Sequence, residues 1–348
     1  MVKILKTNDS FIQEHIPRVS RTFALTIKFL PRGLRNSVYT SYLLCRVADT
    51  LEDTPYLIPA EKSKRLLKLR DLLLNAAGGR RLDLDAVSSI YESVDTPGND
   101  EQMLLVESSR LFEILETLPG SHKKIIYRWV GEMAEGMADY SKIDAQRNDI
   151  VVSLKNVEDW DRYCYYVAGT VGHMLTELFI VHYDFNMEIS EDLKRLGNSF
   201  GLGLQKVNVI KDVPDDRERG INYLPGDILN KHRLNATRLK EESESSKIEL
   251  FINEIVSLTV PHLDDAIEYS ALIPQHLKGV RMFLIVPVFL AVETLSLIKS
   301  NPVRAMIGPP VKLTRSDVTR LVGAAATRVG SNKKLKEYYR TLRDRSQI

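Results

Sequence analysis

Two cysteines, Cys45 and Cys164, are all that the 348 residues contain. Each lies in an apolar segment with no Cys-x-x-Cys spacing. A disulfide framework and a thiolate metal site are both excluded, and a reducing, cytoplasmic setting is the expectation. Charge of one sign is equally lacking, since 48 basic residues stand against 46 acidic ones. That balance argues against a nucleic-acid partner. The first residues carry charges throughout and form no apolar h-region, so no signal peptide is read there. Long hydrophobic runs are missing too. The most apolar stretch, Phe283–Ile298, is shorter than the roughly 20 residues of a membrane span and contains Pro287 and Glu293. A buried core helix is expected there. No Gly-x-Gly-x-x-Gly loop follows a strand pattern, so the common dinucleotide cradle has no signature in this chain.

What is present is helical periodicity. Leu104, Leu105, Leu111, Phe112, Leu115 and Leu118 fall on one stripe ended by Pro119-Gly120, and Ser121 can cap the helix that follows. Alternating strand patterns are scarce, so the fold class expected is all-α, with residues 1–348 as a single domain. Residues 301–316, with Pro302, Pro309, Pro310 and Gly308, read as an irregular flap or loop. Residues 333–348 read as a basic terminal helix with Leu335, Tyr338, Tyr339 and Leu342 on one face. That helix either docks on the core or makes a peripheral contact with an anionic membrane surface.

Two acidic motifs stand out. Asp49, Glu52 and Asp53 share one helix face after the apolar run Val38–Cys45. Such like charges destabilise an isolated helix by a few tenths of a kcal/mol per pair, so the cluster calls for cations. Asn208, Asp212 and Asp216 repeat the logic at i, i+4, i+8 after the small, apolar Phe200–Leu204. Hard oxygen ligands suit Mg²⁺, which binds through one or two carboxylates plus substrate phosphates. Basic neighbours (Arg46, Lys211, Arg217 and Arg219) suit a diphosphate. A Mg²⁺–diphosphate site favours ionisation of an allylic C–O bond. One such spacing alone is usually a solvated helix face; two, each emerging from an apolar run, are harder to read that way.

The blocks around these motifs resemble the squalene/phytoene synthase family. They are Ser20-Arg21-Thr22-Phe23, Arg46 to Asp53, Tyr163 to Gly172, Gln205 to Asp216, and Tyr223-Leu224-Pro225, in that order. The resemblance implies an isoprenoid-synthase helical bundle with a central cavity. It also implies head-to-head condensation of two prenyl diphosphates, typically farnesyl diphosphate, through a cyclopropylcarbinyl diphosphate. By the family pattern Asp49, Glu52, Asp53, Asn208, Asp212 and Asp216 hold Mg²⁺ and diphosphate. Ser20, Arg21, Arg46 and Lys211 bind phosphate, and Phe23, Tyr42 and Gln205 line the cavity. Tyr163 matches the tyrosine that assists proton removal; from the residues alone, an ordinary core tyrosine remains the alternative. Glycines and alanines around Gly131 and Gly169 either leave room for isoprenoid tails or serve close helix packing.

Three features lean towards the branch that reduces its product to squalene with NADPH. They are the sequence Asp49-Thr50-Leu51-Glu52-Asp53, Lys206 after Gln205, and Val311-Lys312-Leu313-Thr314-Arg315, which resembles the family's NADPH flap. Asn208, Lys312 and Arg315 are the cofactor-binding candidates. The alternative is a non-reducing dehydrosqualene or phytoene synthase, and a non-catalytic helical protein is a third reading. The chain also departs from the pattern. Thr314 stands where the flap often has arginine, and Ile221 replaces an arginine, for which Arg217 or Arg219 could substitute. Pro214 deletes a backbone hydrogen bond to the Ile210 carbonyl within the second motif.

Overall fold

The computed structural model describes residues 2–19, 22–54, 57–90, 98–143, 152–235, 239 and 244–348. Ser20 and Arg21 therefore lie outside the described residues. The helices run α1 (Val2–Val19), α2 (Thr22–Ile27), α3 (Arg32–Asp53), α4 (Pro59–Ala77), α5 (Leu84–Ser88), α6 (Asp100–Val106), α7 (Ser108–Glu116) and α8 (Gly120–Ile143). Strand β1 (Val152–Leu154) precedes α9 (Val157–Cys164), a π-helical turn (Tyr165–Gly169), α10 (Thr170–Tyr183), α11 (Met187–Lys211) and α12 (Val213–Glu218). After β2 (Ile221–Pro225) come α13 (Gly226–Lys231), α14 (Ser245–Leu272), α15 (Lys278–Ser300), α16 (Pro302–Ile307), α17 (Arg315–Arg328) and α18 (Asn332–Ser346). Among the described residues the fold is all-α apart from β1 and β2, which pair in parallel with an irregular register.

The chain forms two compact units, neither continuous in sequence. One comprises Met1–Ala145 and His173–Ser190, the other Gln146–Gly172 and Glu191–Ile348. In the first, α3 buries Leu34, Val38, Leu44, Val47, Ala48 and Leu51 and packs on α6, α7 and α8. Helices α4 and α8 pair along their length, and a Cβ placed on Gly131 would lie 2.9 Å from the Leu74 side chain. Here the small residue serves helix contact. Leu104, Leu105, Leu111, Phe112 and Leu115 of the expected stripe are buried, but in two short helices rather than one, and Leu118 follows them half-buried. They are broken at Glu107, whose carboxylate meets the His15 ring at 2.6 Å.

In the second unit, α15 is apolar all round and forms the core with α14. It runs to 23 residues, longer than the Phe283–Ile298 stretch suggests, and continues through Pro287. By length and composition both α15 and the continuous helix Val157–Tyr183 are long and apolar enough to cross a membrane. Yet 78% of the apolar window of α15 is buried inside the protein, as expected of a core helix. The wholly buried Arg281 donates to the Ile273, Ala271 and Val329 carbonyls and to Asn332 Oδ1, satisfying the carbonyl ends of α14 and α17. Helix α18 docks Leu335, Tyr339 and Leu342 on this core, and Tyr339 donates to Asp264 at 2.8 Å. The apolar face of the terminal helix is thus occupied, leaving Lys333, Lys334, Arg340 and Arg345 exposed.

Candidate active site

The last two turns of α3 carry the first acidic motif. Apolar residues at Leu44, Val47, Ala48 and Leu51 face the core, which places Asp49, Glu52 and Asp53 along the less buried side of the helix. Arg46 donates to Asp49 at 3.0 Å and pairs with Glu101 from α6, an acidic partner that no motif in the sequence marks. Its Nε–H is buried and without an acceptor. Burial pushes the Asp49 carboxyl up to about 6, against the pull of Arg46 and with Asp53 and Glu101 adding to the rise. Phe23 and Tyr42, expected to line a cavity, sit together with ring centroids 5.7 Å apart, and the Tyr42 hydroxyl donates to the Val19 carbonyl.

The second motif does not lie on one unbroken helix. Helix α11 stops at Lys211, Asp212 adopts φ −93° and ψ 6°, and α12 begins at Val213 with Pro214 in its first turn. The break is where the missing N–H of Pro214 places it. Backbone bonds from Asp212 N to Asn208 O and from Asp216 N to Asp212 O still carry the chain across. The i, i+4, i+8 stripe is consequently split. Asn208 is exposed and lies against Gln205, Asp212 is partly exposed beside Lys211 Nζ at 3.3 Å, and Asp216 is buried and held by Arg219 at 2.5 Å. Burial raises the Asp212 pKa, with Lys211 opposing. The other basic neighbour, Arg217, donates to the carbonyls of Met306 and Ile307.

Tyr163 stacks on Tyr223, centroids 4.3 Å apart and planes 12° apart, in the last turn of α9 two residues before the π-helical turn. Such turns are frequent at functional sites. The glycines that follow serve backbone contact. A Cβ on Gly172 would lie 2.0 Å from the Gly197 carbonyl oxygen, and one on Gly201 2.1 Å from that of Ala168. Lys206, wholly buried, meets Asp161 at 2.6 Å and His262 at 3.0 Å and lies over the Trp160 ring.

The stretch expected to be an irregular flap divides into a short helix and a strap. Within residues 301–316, Pro302–Ile307 is helical rather than irregular, because Asn301 caps it and Pro302 suits a first helical position. Residues 308–314 are a strap without regular structure. Thr314 forms a capping box with Asp317, which gives the residue in the arginine's place a structural task. Lys312 and Arg315 are exposed.

Among the described residues no three His, Cys, Asp or Glu side chains gather closely enough to hold a metal by themselves. Mg²⁺ bound through one or two carboxylates and substrate phosphates needs no such cluster. A carboxylate held against burial at Asp49 and an acceptor-less Nε–H on Arg46 fit a cation and an anionic ligand, respectively.

The family model for squalene/phytoene synthases matches residues 16–317. The chain belongs to the squalene/phytoene synthase family. Among its relatives in the family are a squalene synthase of Candida albicans, 30% identical over 332 residues, and one of Cyberlindnera jadinii, 29% identical over 327. Each alignment takes in 94% of this chain and about 70% of the fungal protein. The solved structure of TcSQS with a bound ligand matches with a TM-score of 0.82 at 25% identity, over 98% of this chain and 91% of that one. A dehydrosqualene synthase structure shares the fold at a TM-score of 0.64 and 20% identity.

Proposed function

We propose that this family member is a prenyltransferase that condenses two farnesyl diphosphates head to head, through presqualene diphosphate, to squalene, using Mg²⁺ and NADPH. The observation that carries the reading is the likeness over nearly the whole chain to squalene synthases in both sequence and structure. The non-reducing neighbour is less similar in both identity and fold.

Asp49, Glu52 and Asp53, with Asn208, Asp212 and Asp216, are the proposed Mg²⁺ ligands. Magnesium supplies charge neutralisation on the departing diphosphate. Arg46 and Lys211 bind phosphate oxygens, and Ser20 and Arg21 are assigned there from sequence alone. Arg46, already aligned by Asp49 and Glu101, keeps a buried Nε–H without an acceptor, assigned to a phosphate oxygen of the substrate. Phe23, Tyr42 and Gln205 line the isoprenoid path. Tyr163, fixed by its stack on Tyr223, is assigned to assist removal of the proton lost as the cyclopropane closes. Bound NADPH supplies the hydride that ends the second cation, with Lys312 and Arg315 holding its phosphate and Asn208 nearby in the assignment. Any contact with anionic lipid would rest on the exposed charges of α18, because its apolar face is docked.

The test is incubation of purified protein with farnesyl diphosphate and Mg²⁺, with and without NADPH, followed by hydrocarbon analysis. Squalene formed only with NADPH is the expected result. Dehydrosqualene in both incubations would assign the non-reducing reaction, and unconsumed substrate would overturn the reading.

A further inference from the structure

Helix α12 joins two parts of the second unit that the reaction uses at different stages. It carries Asp216, and the next residue, Arg217, reaches back to α16. Its Nη1 donates to the Met306 carbonyl at 2.7 Å and its Nη2 to the Ile307 carbonyl at 3.4 Å. These are among the last carbonyls of α16, which have no partner within the helix, so a guanidinium there makes charge-assisted bonds at the negative end of the helix dipole. The strap follows at once. Gly308 N bonds to Arg304 O at 2.8 Å, Pro309 and Pro310 have no N–H to donate, and regular structure resumes at the Thr314 capping box. The strap that bears Lys312 is therefore held at two ends, and the upstream end is held to the acidic motif by Arg217.

We infer that Arg217 is a positioning residue that ties the placement of the 308–314 strap, and so the site for the phosphate of NADPH, to the helix bearing Asp216. The inference rests on the proposed function for the role of the strap, while the tie itself rests on the two carbonyl contacts. Asp216 is held by Arg219, so Arg217 is not needed to hold that carboxylate. Loss of Arg217 leaves the motif in place and loosens the strap.

The experiment compares R217Q and R217K with the wild-type chain. NADPH binding is titrated by its fluorescence, presqualene diphosphate formation is measured without NADPH, and trypsin cleavage after Lys312 and Arg315 is timed. In R217Q the Kd for NADPH should rise on the order of ten-fold, the scale of one charge-assisted bond. Cleavage of the strap should accelerate, and the loss of NADPH affinity should exceed any loss in presqualene diphosphate formation. R217K, which can reach one carbonyl, should recover most of the NADPH affinity. Unchanged affinity and cleavage in R217Q, or equal losses in both half-reactions, would overturn the inference. If the wild-type chain binds no NADPH, the proposed function fails, and the cleavage rates alone then decide whether Arg217 holds the strap. Circular dichroism checks folding; should R217Q lose its helix signal, the comparison of R217K with wild type carries the same readouts with a smaller expected change.

Discussion

Lys206 and Asp161 form an ion pair 2.6 Å long in which the two partners are unequally buried: the lysine side chain is 1% exposed and the aspartate 41%. The pair joins α11 to α9, one residue from Gln205 and two from Tyr163. A directional chain continues from it. Lys206 donates to His262 Nε2, which leaves Nδ1–H to donate to Ser199, and Ser199 donates to Asp265 at 2.7 Å. Burial lowers the His262 pKa, with the Lys206 charge adding, so the imidazole is held neutral and can accept from the ammonium.

The unequal burial predicts unequal costs. Asp161→Ala strands a buried ammonium and should destabilise by about 3–5 kcal/mol. Lys206→Met leaves a half-exposed carboxylate whose Oδ1 is buried and one unpaired imidazole nitrogen, so about 1–3 kcal/mol is expected. Urea unfolding of both variants checks the order. A larger loss for Lys206→Met would mean that the aspartate, not the lysine, carries the buried charge.

The glycine contacts give a second prediction. Gly172→Ala drives a methyl to 2.0 Å from the Gly197 carbonyl oxygen, a distance no rotamer change relieves because both groups are backbone or Cβ. The two helices must part, at a cost of about 1–3 kcal/mol or more. Gly323→Ala, where a Cβ meets nothing within 4 Å and the residue lies inside α17, should be neutral or slightly stabilising. Thermal melts of the two alanine variants should move in opposite directions or by clearly different amounts.

These two regions also mark what could be read without coordinates. The all-α class, the core role of the Phe283–Ile298 stretch and the docked terminal helix follow from periodicity, which is local. The acidic motifs were legible because their ligands are a few residues apart. Glu101 was not, since its approach to Arg46 depends on how α6 packs on α3, a contact between residues 55 apart in sequence. The sequence marks Lys206 only as the neighbour of Gln205, because its partners Asp161 and His262 come from distant helices. The Leu104–Leu118 stripe shows the limit from the other side. Its periodicity survives a break at Glu107, so the stripe is legible in the sequence while the end of one helix and the start of the next are not. For Gly172, composition left cavity and close packing open, and the Gly197 contact decides for packing.

A pH effect follows from Asp49. Its folded-state value of about 6 lies above the ordinary carboxylate range, so the folded protein binds this proton more tightly than the unfolded chain. The metal-free protein should then lose stability as pH rises from about 4 to 6, the reverse of a salt-bridged carboxylate. Mg²⁺ needs the ionised form, so its apparent affinity should fall as pH drops below about 6, approaching ten-fold per unit for a single proton. Magnesium titrations at pH 5, 6 and 7 check this. An affinity flat across that range would remove Asp49 from the ligand set.

The two acidic motifs should also respond differently to neutralisation. Asp49→Asn removes a proposed ligand and, with it, a carboxylate on which Arg46 is aligned at 3.0 Å, although Glu101 still holds the guanidinium. Asp212→Asn removes a proposed ligand at a helix break, where the side chain is 37% exposed and pairs with Lys211 at 3.3 Å. Both substitutions weaken the site where charge leaves with diphosphate, so each should lower presqualene diphosphate formation by about 10²–10³-fold, the scale of losing one electrostatic stabiliser. They should differ in the unliganded fold. Asp49→Asn replaces a carboxylate that burial and Asp53 disfavour, and its melting temperature at pH 7 without metal should stay level or rise. Asp212→Asn should change it little, since solvent already screens that pair. Single-turnover rates with farnesyl diphosphate, set beside melting curves without Mg²⁺, separate catalysis from stability. Near wild-type turnover in either variant would count decisively against the proposed ligand assignment.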